Sequence, residues 1–152
     1  MRTSRWGGGI LGIAVALSGC GDPVTGPVGG EVIALETVDG QPLPATVDEG
    51  LGRVLVYRAD TIHLGENDRW ARRTVTDLTR PTMGTQTLDY RQEGTVEWFG
   101  GEIILSYECN DTGSCVAPDR LIPEPGSYRM ELRVGPEAVR VLRFRQVTGG
   151  GS

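Results

Sequence analysis

Tyr128-Arg129-Met130-Glu131-Leu132-Arg133-Val134 places an apolar side chain at every second position and a charged one between each pair. Successive side chains of a β-strand point to opposite faces, so a period of two describes a strand with one dry and one wet side. Tyr128, Met130, Leu132 and Val134 are read as inward, and Arg129, Glu131 and Arg133 as outward. Gly135-Pro136-Glu137 makes a tight connection, and Ala138 to Val147 repeats the pattern with Leu142 and Phe144 set against Arg143 and Arg145. Two amphipathic strands across a short turn form an antiparallel hairpin.

Working outward, the same grammar covers most of the chain. Glu31 to Val38 is a strand candidate followed by an Asp39-Gly40 turn. Gln41-Pro42-Leu43-Pro44 is extended, because proline and the residue before it avoid helix. Arg53 to Arg58 and Asp60 to Leu64 are two further strands, and Glu66-Asn67-Asp68 is a polar turn. Trp70 to Leu78 alternates Trp70, Arg72, Thr74, Thr76 and Leu78 against Ala71, Arg73, Val75 and Asp77, and the Pro81 to Gly84 stretch breaks it. Gln86 to Gln92 is a strand, Gly94 turns the chain, and Thr95 to Phe99 returns. After Gly100-Gly101 comes Glu102 to Cys109, with Ile103, Leu105 and Tyr107 on one side. Three prolines make Pro118 to Gly126 a loop. No segment carries a helical period. The fold class is all-β: an antiparallel meander of about eight strands. Such a meander has to remove its sheet edges, by closing into a small barrel or by folding into a β-sandwich. A composition of 23 Gly with 6% aromatic residues suits short strands and many turns.

The N-terminus has another character. Arg2 and Arg5 precede an apolar run from about Gly7 to Leu17, followed by small residues. This is the plan of a secretory signal, and the run is shorter than the ~18–20 residues of a membrane-spanning helix. Leu17-Ser18-Gly19-Cys20 resembles the lipobox of bacterial lipoproteins. The resemblance implies a diacylglycerol on Cys20 and cleavage just before it. Residues 1–19 are then a signal peptide, residues 20–30 the lipidated Cys and a flexible linker, residues 31–147 the β domain, and residues 148–152 a disordered tail. With Gly21 rather than Asp after Cys20, the resemblance points to an outer-membrane address in the cell envelope, facing periplasm or exterior. Removing Arg2 and Arg5 from the 15 basic residues leaves 13 against 20 acidic ones, a net charge of −7. That sign disfavours nucleic acid as a partner.

Inside the domain, Gly94-Thr95-Val96-Glu97-Trp98 with Gly101-Glu102-Ile103-Ile104-Leu105 resembles a hairpin of lipocalin-like bacterial lipoprotein domains. Val38-Asp39-Gly40-Gln41-Pro42-Leu43-Pro44 resembles their opening, and Leu142-Arg143-Phe144-Arg145 their final strand. The resemblance implies a small lipocalin-like barrel.

Chemistry is sparse. Cys109 and Cys115 bracket Asn110-Asp111-Thr112-Gly113-Ser114, and an even pair in an oxidising compartment reads as a disulfide contributing roughly 2–2.5 kcal/mol. His63 is the one imidazole; set between Ile62 and Leu64 in a strand, it should point away from their face rather than serve as a base. No Gly-x-Ser-x-Gly elbow is present. Glu66 with Asp68 could hold Ca²⁺ or act as an acid–base pair, and Asn110 and Asp111 with Asp119 could hold Ca²⁺. Without the spaced acidic loop pattern they read as solvated turns. Trp70, Trp98, Phe99, Tyr57, Tyr90, Tyr107 and Tyr128 are expected to fill the interior, leaving little room for a cavity. The expectation is a monomeric, non-enzymatic lipoprotein with no catalytic residue, cofactor or metal, held to the membrane by lipid, with a binding or structural role in the envelope and an envelope protein or small apolar ligand as its partner. The alternatives are a lipocalin-like carrier of a small apolar ligand and a hydrolase using Asp or Glu.

The cysteine pairing is directly testable. Alkylation of the denatured, unreduced protein should label neither Cys109 nor Cys115, and reduction should expose both to a second label. A thiol labelled at either position before reduction would refute the pairing.

Overall fold

Alternating apolar side chains become strands wherever they can face a common interior. The computed structural model describes residues 30–108, 116–134 and 138–147. Ten strands make up this part, and no helix occurs among the described residues. They are β1 (Glu31–Val38), β2 (Gln41–Pro42), β3 (Ala45–Gly50), β4 (Arg53–Leu64), β5 (Arg69–Arg80), β6 (Gly84–Phe99), β7 (Glu102–Tyr107), β8 (Asp119–Glu124), β9 (Ser127–Val134) and β10 (Ala138–Gln146). The signal stretch 1–19, Cys20 and the linker to 29 lie outside the described residues. So do Asn110 and Asp111 between Cys109 and Cys115, those two cysteines, the 135–137 turn and the 148–152 tail.

β4 to β10 follow one another as antiparallel neighbours, and β1 closes the ring. One flank of β1 pairs with β10 from Ile33↔Gln146 to Val38↔Leu142. The other pairs with β4 from Glu31↔Leu64 to Ala34↔Thr61. Eight strands thus form a closed up-and-down barrel, which rules out the β-sandwich and leaves the barrel without a free seam. β2 and β3 are additions at the closing seam. Val38 pairs with Gln41 on β2, and Ala45 to Gly50 on β3 takes over from β1 as the neighbour of β4 at Arg53 to Tyr57.

Three sequence expectations are corrected. Arg53 to Leu64 is one strand, not two; the break in its alternation is a bulge at Arg58, between Tyr57 and Ala59 in the register with β5. An extra residue reverses which face the following side chains occupy. Tyr57 points inward, and beyond the bulge Asp60, Ile62 and Leu64 do so, while His63 faces out as expected. The stretch Asp119–Glu124 is a strand, not a loop. Pro123 lies past Leu121, the last residue paired with β7 on that side, where a missing N–H is tolerated. Ala45–Gly50 is a strand that its short alternation did not announce.

Gly94, read as a turn, lies within β6. It is opposite Trp70 in the β5 register, and Trp70 Nε1 donates to the Ser106 carbonyl at 3.0 Å across it. A Cβ at Gly94 would sit 1.8 Å from that carbonyl oxygen and 2.8 Å from Trp70 Nε1. The glycine is therefore a slot for the indole, not a hinge. Trp70 also meets the Tyr107 ring edge-on at 5.0 Å between centroids.

Packing is uneven along the barrel axis. Ile33, Ile62, Leu64, Trp70, Ile103, Leu105, Leu121, Met130, Leu142 and Phe144 fill one end, apart from a concavity of about 240 Å³ beside Trp98, Pro123 and Tyr128. Both ends of the described chain meet there: Gly30 N–H donates to the Leu64 carbonyl, and Val147 N–H to that of Val32. At the other end β5 and β6 run on together to the pair Arg80↔Gly84, whereas β7 follows β6 only from Phe99 back to Gly94. The β3–β6 wall stands taller than the wall facing it, and the barrel opens as a mouth.

Gly94→Ala should cost about 3 kcal/mol or more, because backbone rather than a flexible side chain blocks the added methyl. Urea unfolding should show a lower midpoint at an unchanged slope. Thr95→Ala, one residue on and facing solvent, should leave the midpoint nearly where it is.

Candidate functional site

Among Trp70, Arg72, Thr74, Thr76 and Leu78 on the inner face of β5, Arg72 is the one that carries charge. It lies opposite Ile62 on β4 and Gln92 on β6, so its side chain crosses the lumen between the filled end and the mouth. Its Nε donates to both oxygens of Asp60, at 3.0 and 3.1 Å, and Nη2 donates to Asp60 Oδ2 at 2.6 Å. Nη1 reaches Asp119 Oδ2 on β8 at 3.2 Å and Met130 Sδ on β9 at 3.6 Å. The guanidinium carbon stands 5.9 Å from the Phe144 ring centroid on β10, within cation–π range. Tyr107 on β7 donates its hydroxyl to Asp119 Oδ2. One side chain from β5 thereby touches groups on β4, β8, β9 and β10.

Burial by itself would lower the guanidinium's pKa, but the hydrogen bonds and charge of Asp60 outweigh it and hold the pKa above the ordinary arginine value. Burial pushes the Asp60 carboxyl up, against the pull of the Arg72 donors. The arginine cannot release its proton in any accessible range, so Asp60 faces a permanent cation. Burial, then the bond to the Asp119 carboxylate, raises the Tyr107 hydroxyl. Tyr57 is raised by burial too, with Arg72 opposing.

Above this layer lies the mouth, a cleft of about 530 Å³. Leu55, Leu78, Leu88 and Tyr90 form its walls; Arg72, Tyr107 and Asp119 form its floor. The volume falls within the ~300–1,000 Å³ of small-molecule sites, and apolar walls over a few converging polar groups are their usual build. Most of the wall comes from β4, β5 and β6, with Leu132 of β9 and Val116 across from them.

The residues singled out in the sequence fare differently. His63 stands on the outer face, where with Ala71, Arg73, Arg91 and Glu93 it borders a second concavity of about 510 Å³. Arg73 there is bound in two places by Asp89, at 3.0 and 2.8 Å. Glu66 and Asp68 are exposed in the turn after β4, as expected. Asp119, read as a solvated turn residue, is instead half-buried at the floor of the mouth, held by Arg72 and Tyr107. No group of three His, Cys, Asp or Glu side chains is placed to hold a metal among the described residues. The aromatics divide: Trp70 and Tyr57 are buried, while Phe99 is 76% exposed and Tyr90, on the cleft wall, 52%. The aromatics therefore do not fill the whole interior, which is hollow at the mouth.

Arg72 and Asp60 were not singled out, although each left a sign. Arg72 stands in phase with Trp70 and Leu78, and Asp60 with Ile62 and Leu64. A charge on the apolar phase of a strand needs a partner inside, and two such charges of opposite sign suggest each other. Comparison with protein-family models, with curated proteins and with solved structures returns no match for this chain.

Removing Asp60 leaves the buried guanidinium with the one, more distant carboxylate of Asp119. Asp60→Asn should therefore cost about 3–5 kcal/mol, while the apolar pair Asp60→Leu with Arg72→Met should cost far less than the two single changes together. A double-mutant cycle by chemical denaturation measures the difference.

Proposed function

We propose that this chain is a lipid-anchored envelope lipoprotein whose barrel mouth binds a small, partly apolar ligand without chemical conversion. The observation that carries the reading is the mouth itself: a cleft of about 530 Å³ with leucine and tyrosine walls, at the end of the barrel away from Gly30 and Val147. An anchor at Cys20, shortly before Gly30 in the chain, would hold the filled end towards the bilayer and aim the mouth away from it. Ligand would then arrive from the aqueous side. A non-catalytic role is favoured by the placement of the titratable groups. The one imidazole, His63, is on the outer face, and Asp60 has both oxygens committed to Arg72. The lipocalin-like carrier is thus the version of the binding role that the cleft favours, over a hydrolase using Asp or Glu.

Protein purified from its native host should release a stoichiometric organic ligand on solvent extraction, read by mass spectrometry. Leu88→Arg, which puts a charge on the cleft wall at a half-buried site, should abolish that recovery while leaving the fold intact by circular dichroism. In the same host Cys20→Ser should move the protein from the membrane to the soluble fraction or leave its signal uncut. Unchanged membrane retention with normal cleavage would overturn the anchor, and no released ligand would overturn the binding role.

A further inference from the structure

The floor of the mouth carries three formal charges that do not cancel. Arg72 is matched by Asp60 through contacts of 2.6 to 3.1 Å that occupy both carboxylate oxygens. Asp119 then brings a second carboxylate to the same guanidinium. Among the described residues that line the cleft, the other cation is Arg53, and it is tied to Glu49 at 3.0 Å. One negative charge is left over. The three floor charges also differ in accessibility: the side chain of Asp119 is 15% exposed, that of Arg72 5% and that of Asp60 0%. The charge that an incoming molecule meets is therefore the surplus carboxylate. Tyr107 satisfies it by donating a proton-bearing hydroxyl, which does not change its sign.

Charges in a partly desolvated cleft act over a lower effective dielectric than in water, so a single uncompensated carboxylate weighs heavily on what can enter. Apolar walls close to it favour a molecule whose cation sits at one end of an apolar body. Resting on the ligand-binding reading, we infer that the mouth selects a monocationic amphiphile, with a protonated amine or quaternary ammonium at Asp119 and its apolar body against Leu88 and Tyr90. A fatty acid would bring a third carboxylate to the floor and is rejected for that reason.

Three probes with one body and different heads test this: phenethylamine, phenethyl alcohol and phenylacetate. They are titrated calorimetrically into the full chain held in lipid nanodiscs, with empty nanodiscs as the reference. The amine should bind about tenfold more tightly than the alcohol, a difference of ~1.4 kcal/mol, and phenylacetate should bind weakest. Asp119→Asn should bring amine and alcohol to near parity while the alcohol still binds. Should that variant fail to fold, the order of the three probes on the unaltered chain decides by itself. Tyr90→Ala, at an exposed position, should weaken all three together. Equal binding of the three heads, or a preference for phenylacetate, would overturn the cationic selectivity and leave the binding role standing. Binding by none of them would bring down both.

Discussion

A guanidinium inside a β-barrel imposes conditions on every strand it faces. Arg72 is buried, and a buried charge is tolerated only when it is paired and its donors are satisfied. The partners are drawn from around the ring: Asp60 from β4, Asp119 from β8, the Met130 sulfur from β9 and the Phe144 face from β10. These contacts require the register between β4 and β5, the bulge at Arg58 and the closure of the ring to be right at once. Hydrophobic packing alone tolerates slippage of shape, whereas a crosswise ion pair of this kind is satisfied in one register. The layer also sets where the barrel stops being solid. Leucine, isoleucine and tryptophan pack below it; above it the walls diverge.

The mouth follows from unequal strand lengths. β5 and β6 pair over twelve residues, while β7 and β8 have six each. Where the short strands end, the inner faces of β4, β5 and β6 continue with Leu132 and Val116 across from them, and their apolar side chains line a cleft instead of a core. The same asymmetry separates the two ends in function. Gly30 and Val147, the outermost described residues, are held at the filled end, where Trp70 and Gly94 lock β5 to β6 and Ser106. The proposed anchor and the proposed binding site therefore do not compete for the same surface.

Much of this architecture was legible in the residues. The alternation at Tyr128–Val134 and Ala138–Gln146 placed Met130, Leu142 and Phe144 inside, and they are fully buried. Pairing β4 and β5 around Glu66-Asn67-Asp68 needed only the turn and the two periodic flanks. The misreadings share a cause. Gly94 and the prolines of β8 are breakers by local preference, and a neighbouring strand overrides local preference when it supplies packing or removes the need for a donor. For the site, Asp119 looked like a turn residue because its neighbours in sequence are turn formers. Its actual neighbours, Arg72 and Tyr107, lie 47 and 12 positions away.

By itself the sequence determined the all-β class, the inward phase of most strands, the outward placement of His63 and the acidic surface, because these depend on side-chain period and count. Tertiary structure decided the closure of the ring, the reversal of face at Arg58, the meeting of Arg72 with Asp60 and Asp119, and the hollow end. Those depend on register and relative strand length, which arise only when segments far apart in the chain share one wall.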